Sequence, residues 1–439
     1  MSESAAIWLI FILMTLIIVI SYFIRVKIRR IKDEHRKEEA KSLGVDKPIN
    51  QYPQINYFLC IGCGACVSAC PEGGVLGLVQ GKATIINGLK CVGHGLCAEA
   101  CPVNGIKVGL GDIKTRDDIP ILSASNETNL PGIYVAGELG GLALIKNAIS
   151  QGNKVVTEIA KSLNNQSASD GDGYDIAIVG AGPAGLSAAL TAKQNNLRYV
   201  LIDQQKAGGT ILQYPRKKVV MTRPVEIPMF GWLKKREYTK EELLEIWEEI
   251  RQRYQIEVKT GEKLENITKE NNHYRILTTN KAYISSKVVL ALGRRGTPRK
   301  LNVPGENKSK VMYKLMDSEA YRNEDILIVG GGDSAVEAAM GLARQPGNRI
   351  TISYRRSKFL RIKTRNEQLV TKMIEKNQIN VIFESTVTEI GDTFVKIQKD
   401  HQTITTPNSY VFIFAGGEPP FPLMHKIGIR FGGELKSDN

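Results

Sequence analysis

The stretches "CIGCGAC" (residues 60–66) and "CVGHGLC" (residues 91–97) space their cysteines in a way that suits metal thiolates. All seven cysteines lie between Cys60 and Cys101, and the count is odd. Both facts argue against structural disulfides and for a reducing compartment. Each stretch is followed by a Cys-Pro pair, Cys70-Pro71 and Cys101-Pro102. Gly62 and Gly64 let the backbone fold tightly and turn amides toward sulfur. The second stretch keeps the cysteines of the first except one: His94, flanked by Gly93 and Gly95, stands where the first has Cys63.

The run Cys60-x2-Cys63-x2-Cys66-x3-Cys70-Pro71 resembles that of two-cluster bacterial ferredoxins. That resemblance implies two [4Fe-4S] clusters, the fourth cysteine of each run ligating the other cluster. Cluster one then takes Cys60, Cys63, Cys66 and Cys101. Cluster two takes Cys91, Cys97 and Cys70, with whatever fills position 94. A zinc site is the alternative for such spacing, and two full runs each closed by Cys-Pro speak against it. Three readings stand for His94. It ligates iron, as histidine does in Rieske centres; it sits beside a [3Fe-4S] cluster; or it is a surface residue beside a degraded site. Retention of Cys70, Cys91 and Cys97 favours ligation.

Two glycine turns follow predicted strands and open predicted helices. The first is Gly180-Ala-Gly182-Pro183-Ala184-Gly185 after "DIAIVG", with Asp203 ending the next strand "RYVLID". Its glycines allow a pyrophosphate to approach a helix N-terminus, and Asp203 is placed for a ribose hydroxyl. The second is Gly330-Gly-Gly332-Asp333-Ser334-Ala335 after "DILIVG". Its next strand, "RITISY", runs into Arg355 and Arg356, with Arg361 nearby and no acidic residue at the strand end. Arginines there suit the 2′-phosphate of NADPH.

The stretches "DIAIVGAGPAGLSAAL", "ALGRRGTPRKLNVPGE", "ILIVGGGDSAVEAA" and "YRRSKFLR" resemble thioredoxin reductase and its relatives, over residues 119 to 439. The resemblance implies an α/β fold with two Rossmann-like domains, one for FAD and one for NADPH. In "GGTILQYP", Gly209 and Gln213 fall in the stretch that runs under the flavin in that family. Two departures stand out. No cysteine follows Cys101, so the dithiol relay of the thioredoxin-reducing members is absent, as in the cysteine-free ferredoxin–NADP reductases of this fold. And "NLPGIYVAGE", which closes the FAD domain in the family, here precedes the first glycine turn. This reads as a circular permutation. Gly137 and Glu138 occupy the permuted contact, Glu138 replacing the family's usual aspartate.

Residues 6–24, "AIWLIFILMTLIIVISYFI", are uncharged and long enough to cross a bilayer. Trp8 and Tyr22 sit near the two ends, and "RVKIRRIK" follows. The expectation is a single-pass anchor in the inner (cytoplasmic) membrane with the catalytic body in the cytoplasm. The formal net charge of +14 fits an anionic surface or an acidic partner; nothing resembles a nucleic-acid motif.

The expected organisation is an anchor and basic flank (1–30), a polar stalk (31–52), a small α+β two-cluster ferredoxin domain (53–112) and a permuted FAD segment (119–162). A linker (163–173), the FAD domain (174–297), the NADPH domain (298–408) and a return to the FAD domain (409–439) complete it. The expected function is electron transfer among NADPH, FAD and two iron–sulfur clusters, to or from a protein or small-molecule carrier. The alternatives are a flavin reductase of a small disulfide or other soluble substrate, and a redox sensor or scaffold. No acid–base catalytic pair stands out, and a homodimer is an allowed assembly.

Overall fold

The structure is a computed structural model that describes residues 3–48, 51–164 and 173–436. The expected linker lies almost wholly outside them. Two compact units form, one from residues 1–111 with 363–365, the other from residues 112–362 with 366–439.

The first unit begins with one helix, Glu3–Ser42. Anchor, basic flank and most of the expected stalk are thus a single rod. The apolar stretch of this helix is wholly unburied, and it is long and apolar enough to cross a membrane. Its later turns behave otherwise. Asp33 is buried and accepts from the Leu78 amide at 2.9 Å, while Arg36 donates to the same carboxylate at 3.4 Å. A Cβ on Gly77 would meet the Asp33 carboxyl at 2.8 Å, so the strand approaches only because residue 77 has no side chain. Ala40 and Val45 are buried as well. The predicted polar stalk is therefore docked on its own unit.

Two short antiparallel pairs complete this unit, Tyr52–Ile55 with Ile106–Gly109 and Leu76–Val79 with Lys82–Ile85. Two one-turn helices, Ala65–Ala69 and Leu96–Glu99, each follow a left-handed glycine, Gly64 and Gly95. The core is made of Cys66, Val75, Leu76, Ala83, Cys97 and Ile106.

The second unit holds a mixed sheet, parallel except for an antiparallel flank from Ala282–Leu290 through His273–Thr278 to Leu264–Glu270, and a wholly parallel one. In the first, strands run in the order Lys259–Thr260, Tyr199–Asp203, Tyr174–Val179, Ala282–Leu290, His273–Thr278, Leu264–Glu270. A seventh strand, Ile133–Val135, pairs in parallel with the end of Ala282–Leu290, with Val288 facing Ile133 and Leu290 facing Val135. The segment before the first glycine turn thus completes the sheet that follows it. Its helix Ile145–Asn164 packs on Pro183–Gln194, where a Cβ on Gly152 would collide with the Ala184 carbonyl oxygen. The far end of the chain returns to the start of this segment: the Ile121 amide donates to Arg430 and the Gly432 amide to Ile119.

The second sheet runs Val311–Met312, Tyr410–Ile413, Asp325–Val329, Arg349–Tyr354, Asn380–Phe383, all parallel. Tyr410–Ile413 therefore belongs here, between two partners, and the boundary expected at residue 408 moves beyond it. The apolar run "YVFIFA" fits a strand buried on both faces. The return crosses at the short pair Thr297–Pro298 with Gly417–Glu418.

The Asp33→Ala variant leaves the Leu78 amide without its carboxylate acceptor. It should cost the first unit about 1–3 kcal/mol, read as faster hydrogen exchange at Leu78 and a lower melting temperature.

Candidate functional site

In the first unit the cysteines sort as the ferredoxin pattern implies. Cys60, Cys63, Cys66 and Cys101 line one small cavity, together with Gly62, Gly64, Ala83 and Gly105. Backbone amides turn toward its sulfurs, Ala83 N–H to Cys60 Sγ at 3.4 Å and Gly105 N–H to Cys101 Sγ at 3.2 Å. Cys70 and Cys91 act electrostatically on Cys97, and Cys70 on Cys91, so these three form a second group. Cys66 and Cys97 feel each other, which places the groups side by side. Burial pushes the thiols of Cys66, Cys91 and Cys97 up to about 11. Such thiols ionise at neutral pH only against a cation, as thiolate–iron bonding provides. Four cysteines lining one cavity, with backbone amides aimed at two of their sulfurs, fit the ligand set of an iron–sulfur cube.

Position 94 repeats the backbone of position 63. Gly62 and Gly64 have φ of 71° and 75°, and Gly93 and Gly95 have 74° and 83°. His94 is half-buried and its Nε2 is shielded from solvent. One residue of the second group was missed from sequence. Glu72, two residues past Cys70, is buried, and its charge raises the Cys70 and Cys91 thiols further. The "CPE" triplet shows the residue but not its burial.

In the second unit the first glycine turn forms a cradle. A Cβ on Gly180 would collide with the Ala291 carbonyl, and one on Gly185 with the Gly180 carbonyl. Gly182 caps the helix Pro183–Gln194, with Pro183 in its first turn and Ala184 buried behind it. A Cβ on Gly182 would have only Gly209 near it, at 3.7 Å, so the helix N-terminus faces open space. Asp203 holds the turn, accepting from Ala181 N–H at 2.7 Å and from Gln205 N–H at 2.7 Å. Burial pushes its carboxyl up, and these two amides pull it partly back. Gln213 donates to the Gln205 side chain at 3.3 Å.

Gly137 has φ 86°, and its amide donates to Gln151 at 2.7 Å. A Cβ on it would lie 3.1 Å from that of Ala184, so residues 137–138 sit on the cradle. Burial raises the Glu138 carboxyl, against the pull of Arg294 and Arg295. The phenol of Tyr214 feels Glu138 and is raised chiefly by its own burial. It is a further residue of this site that sequence reasoning did not single out within "GGTILQYP". The open helix end and the glycines that admit close approach fit the pyrophosphate and ribityl of FAD.

The second turn repeats the design. Gly330 has φ 138° and its amide donates to Ser353 at 3.0 Å. A Cβ on Gly331 would strike the Tyr354 ring, whereas nothing lies within 4 Å of one on Gly332. Ala335 is buried, Ser334 exposed. Asn366 donates to Asp333 at 2.7 Å and to Glu337 at 3.0 Å. Arg355 and Arg361 are exposed and Arg356 half-exposed, beyond the end of the neighbouring strand. The turn leaves room for a second pyrophosphate, with guanidinium groups where a 2′-phosphate would extend, which fits NADPH.

Arg216, Lys217 and Lys218 are three consecutive basic residues. The structure pairs them within the chain. Arg216 meets Asp317 and Lys217 meets Glu319, both at 3.3 Å, and Lys218 meets Glu337. These pairs join the two sheet-bearing halves of the second unit. Elsewhere in this unit, Asp118 is bonded by Arg116 and Arg294. Burial alone would raise its carboxyl, but the two guanidinium groups hold it below the usual aspartate value.

Replacing Cys70 should remove iron from the second group and spare the first, although Cys70 belongs to the first run. Cys101→Ser should do the reverse. Iron counts and cluster EPR of anaerobic protein distinguish the two outcomes. Because the folded value of Asp118 lies below its unfolded one, its ion pairs stabilise fully above the ordinary value of 3.8 and fade as pH falls through the folded value. Asp118→Asn should therefore cost about 1–3 kcal/mol at pH 7, and the gap from the parent should shrink below that value in melting curves.

Residues 177–435 match the family described as pyridine nucleotide-disulphide oxidoreductase, and residues 52–102 match the 4Fe-4S dicluster domain. The chain is 29% identical to a ferredoxin–NADP reductase of Ignicoccus hospitalis, over 59% of this chain and 83% of that protein. It is 27% identical to a bacilliredoxin reductase Bdr of Bacillus subtilis, over 58% and 81%. Among solved structures, a bacillithiol disulfide reductase Bdr from Bacillus cereus superposes with a TM-score of 0.54 at 25% identity, covering 59% of this chain and 82% of that one. Two Rossmann-like turns, each between a parallel strand and a helix, lie within the family match that begins at residue 177, and the cysteine-lined unit holds the dicluster match. The chain belongs to the pyridine nucleotide-disulphide oxidoreductase family, as an FAD- and NAD(P)H-dependent reductase that also carries a 4Fe-4S ferredoxin domain.

Proposed function

We propose that this protein exchanges electrons between NADPH and a protein or small-molecule carrier at a membrane surface, through FAD and two iron–sulfur clusters. The observation that carries this reading is the pairing, in one chain, of two cysteine groups with two nucleotide cradles, and no cysteine beyond Cys101. Bound flavin supplies the conversion between two-electron hydride transfer and the one-electron chemistry of clusters.

The chain's own residues do the holding. Gly180, Gly182 and Gly185 admit the FAD pyrophosphate, and Asp203 is set at the ribose end while it fixes the turn. Glu138 offers its half-buried carboxylate to the ribityl or phosphate side. Gly330 and Gly332 admit the second nucleotide, and Arg355, Arg356 and Arg361 select its 2′-phosphate by charge. Cys60, Cys63, Cys66 and Cys101 hold one cluster. Cys70, Cys91 and Cys97 hold the other, with His94 as fourth ligand, a reading supported by the repeated backbone of its loop. The basic residues after the apolar helix keep the body on the cytoplasmic side of an inner membrane.

A second reading follows from the two relatives named Bdr: a reductase of a small disulfide at the flavin, with the clusters accessory. One experiment separates the two. Anaerobic NADPH is added to the parent and to the Cys60→Ser, Cys97→Ser double variant, following flavin and cluster absorbance and turnover with a one-electron acceptor. Bleaching of both chromophores in the parent, and at least about a tenfold loss of one-electron turnover in the variant, is expected. Undiminished turnover in the variant would favour the disulfide reading.

A further inference from the structure

Four large apolar side chains beside the first cysteine group face solvent: Tyr57 (53% exposed), Phe58 (99%), Leu59 (49%) and Ile61 (64%). They flank Cys60, on a loop whose other end carries the exposed Cys63. A loop this apolar beside a redox centre calls for a covering surface. The register of the first unit indicates which one.

The strand Leu76–Val79 runs antiparallel to the long helix Glu3–Ser42. Gly77 and Leu78 lie against Asp33, while the open end of the hairpin, where the Ile86 amide donates to Val75, leads on to Leu89 and Val45 past the helix end. The hairpin turn at Gln80-Gly81 therefore points toward the span. On the way back the chain recedes from it, with Leu89 donating to Val45 beyond the helix end. The loop of the first cysteine group sits on that turn. A Cβ on Gly62 would strike the Gly81 carbonyl, and Lys82 Nζ donates to the Cys60 carbonyl at 2.6 Å.

Heights along the helix follow from its rise. Asp33 is nine residues past Ile24, the last residue of the apolar run, about 13 Å along the axis. The strand then descends from Leu78 to Gly81, about 10 Å of chain if it ran straight down. The loop is thus brought to within roughly a headgroup layer of the level of Ile24. Arg25, Lys27, Arg29, Arg30 and Lys32 are all exposed over the same stretch of helix. They suit anionic headgroups, and an aromatic pair beside them suits the interface.

We propose that the loop Tyr57–Ile61 seats in the headgroup layer of an anionic bilayer beside the emerging helix, so that the first cysteine group faces the lipid surface. This rests on the membrane-anchor reading. The occupant is lipid: the loop is tethered at interface depth on the same rigid helix that crosses the membrane, and its neighbours on that helix are cationic.

The test uses the full chain in nanodiscs of phosphatidylcholine and phosphatidylglycerol. The photoreactive residue p-benzoylphenylalanine is placed at position 58 in one variant and at position 18, inside the span, in another. Phe58 is almost fully exposed, so the larger ring should be tolerated, and iron content verifies this. After irradiation, phospholipid adducts are sought by mass spectrometry. Adducts at both positions are expected. Adducts at 18 with none at 58 would sink the loop proposal and leave the anchor standing. Adducts from 58 to protein in place of lipid would also overturn it. Absence of lipid at both positions would remove the anchor reading and this proposal with it.

Discussion

Val288, Val289 and Leu290 are hydrogen-bonded along both edges, to Ala177–Val179 on one side and to Ile133–Val135 on the other. That double ladder sets the flavin-type site. The three strands run parallel and finish together, so Gly137, Gly180 and Ala291 emerge at one point, at the carboxyl ends where parallel sheets bind ligands. The Ala136 amide donates to Leu290 and the Ala291 amide to Val179, which ties the three exits to one another. Sheet closure needs the strand at residues 133–135 beside Leu290, and it does not depend on whether that strand comes before or after Tyr174 in the chain. The meeting of residues 119–121 with 430–432 gives the physical basis for the altered order, since ends that lie side by side can be joined or cut at little cost in packing.

The cysteine unit depends on close approach rather than on bulk core. Its buried set is small and includes two of the cysteines. A domain of this size has few apolar contacts to offer, and metal–thiolate bonding then becomes part of its folding energy. The glycines follow from this. Gly62 and Gly93 each lie where a side chain would collide, with the Gly81 carbonyl in one case and the Gln51 side chain in the other. The near-identical φ values of the two loops mean that His94 stands in the place of Cys63 without altering the loop. The buried Glu72 carboxylate lies beside Cys70 and Cys91 and pairs with Lys363 at 3.5 Å.

The ion pairs across the second unit belong to a different class. Those of Arg216 and Lys217 are half to three-quarters exposed on the basic side and screened by salt, and are worth little individually. The Lys218–Glu337 pair is more enclosed, and Asn366 bonds the same glutamate. Asp333 and Glu337 stand on the helix that opens the second nucleotide turn. A link from the stretch after the first site thus reaches the helix of the second, holding two halves that are also connected by the short pair at 297–298 and 417–418.

Local pattern was enough to identify the cysteine runs, both glycine turns and the apolar helix, because spacing and period are properties of consecutive residues. The sorting of Cys101 with the first run and Cys70 with the second is implied by the ferredoxin resemblance; the cavity brings Cys101 together with Cys60, Cys63 and Cys66. Other features required the folded chain. Tyr410–Ile413 was assigned to the wrong half because an apolar strand does not say which sheet it joins. The stalk, polar by composition, is docked through one buried aspartate whose partner amide lies 45 residues away. The pairing of Arg216 and Lys217 cannot be read from their own stretch, because their acidic partners sit about a hundred residues further on. The sequence determined which groups are present and how consecutive residues can fold. Only the tertiary structure decided which charges meet and how far Cys60 stands from the apolar span, since both depend on contacts between segments remote in the chain.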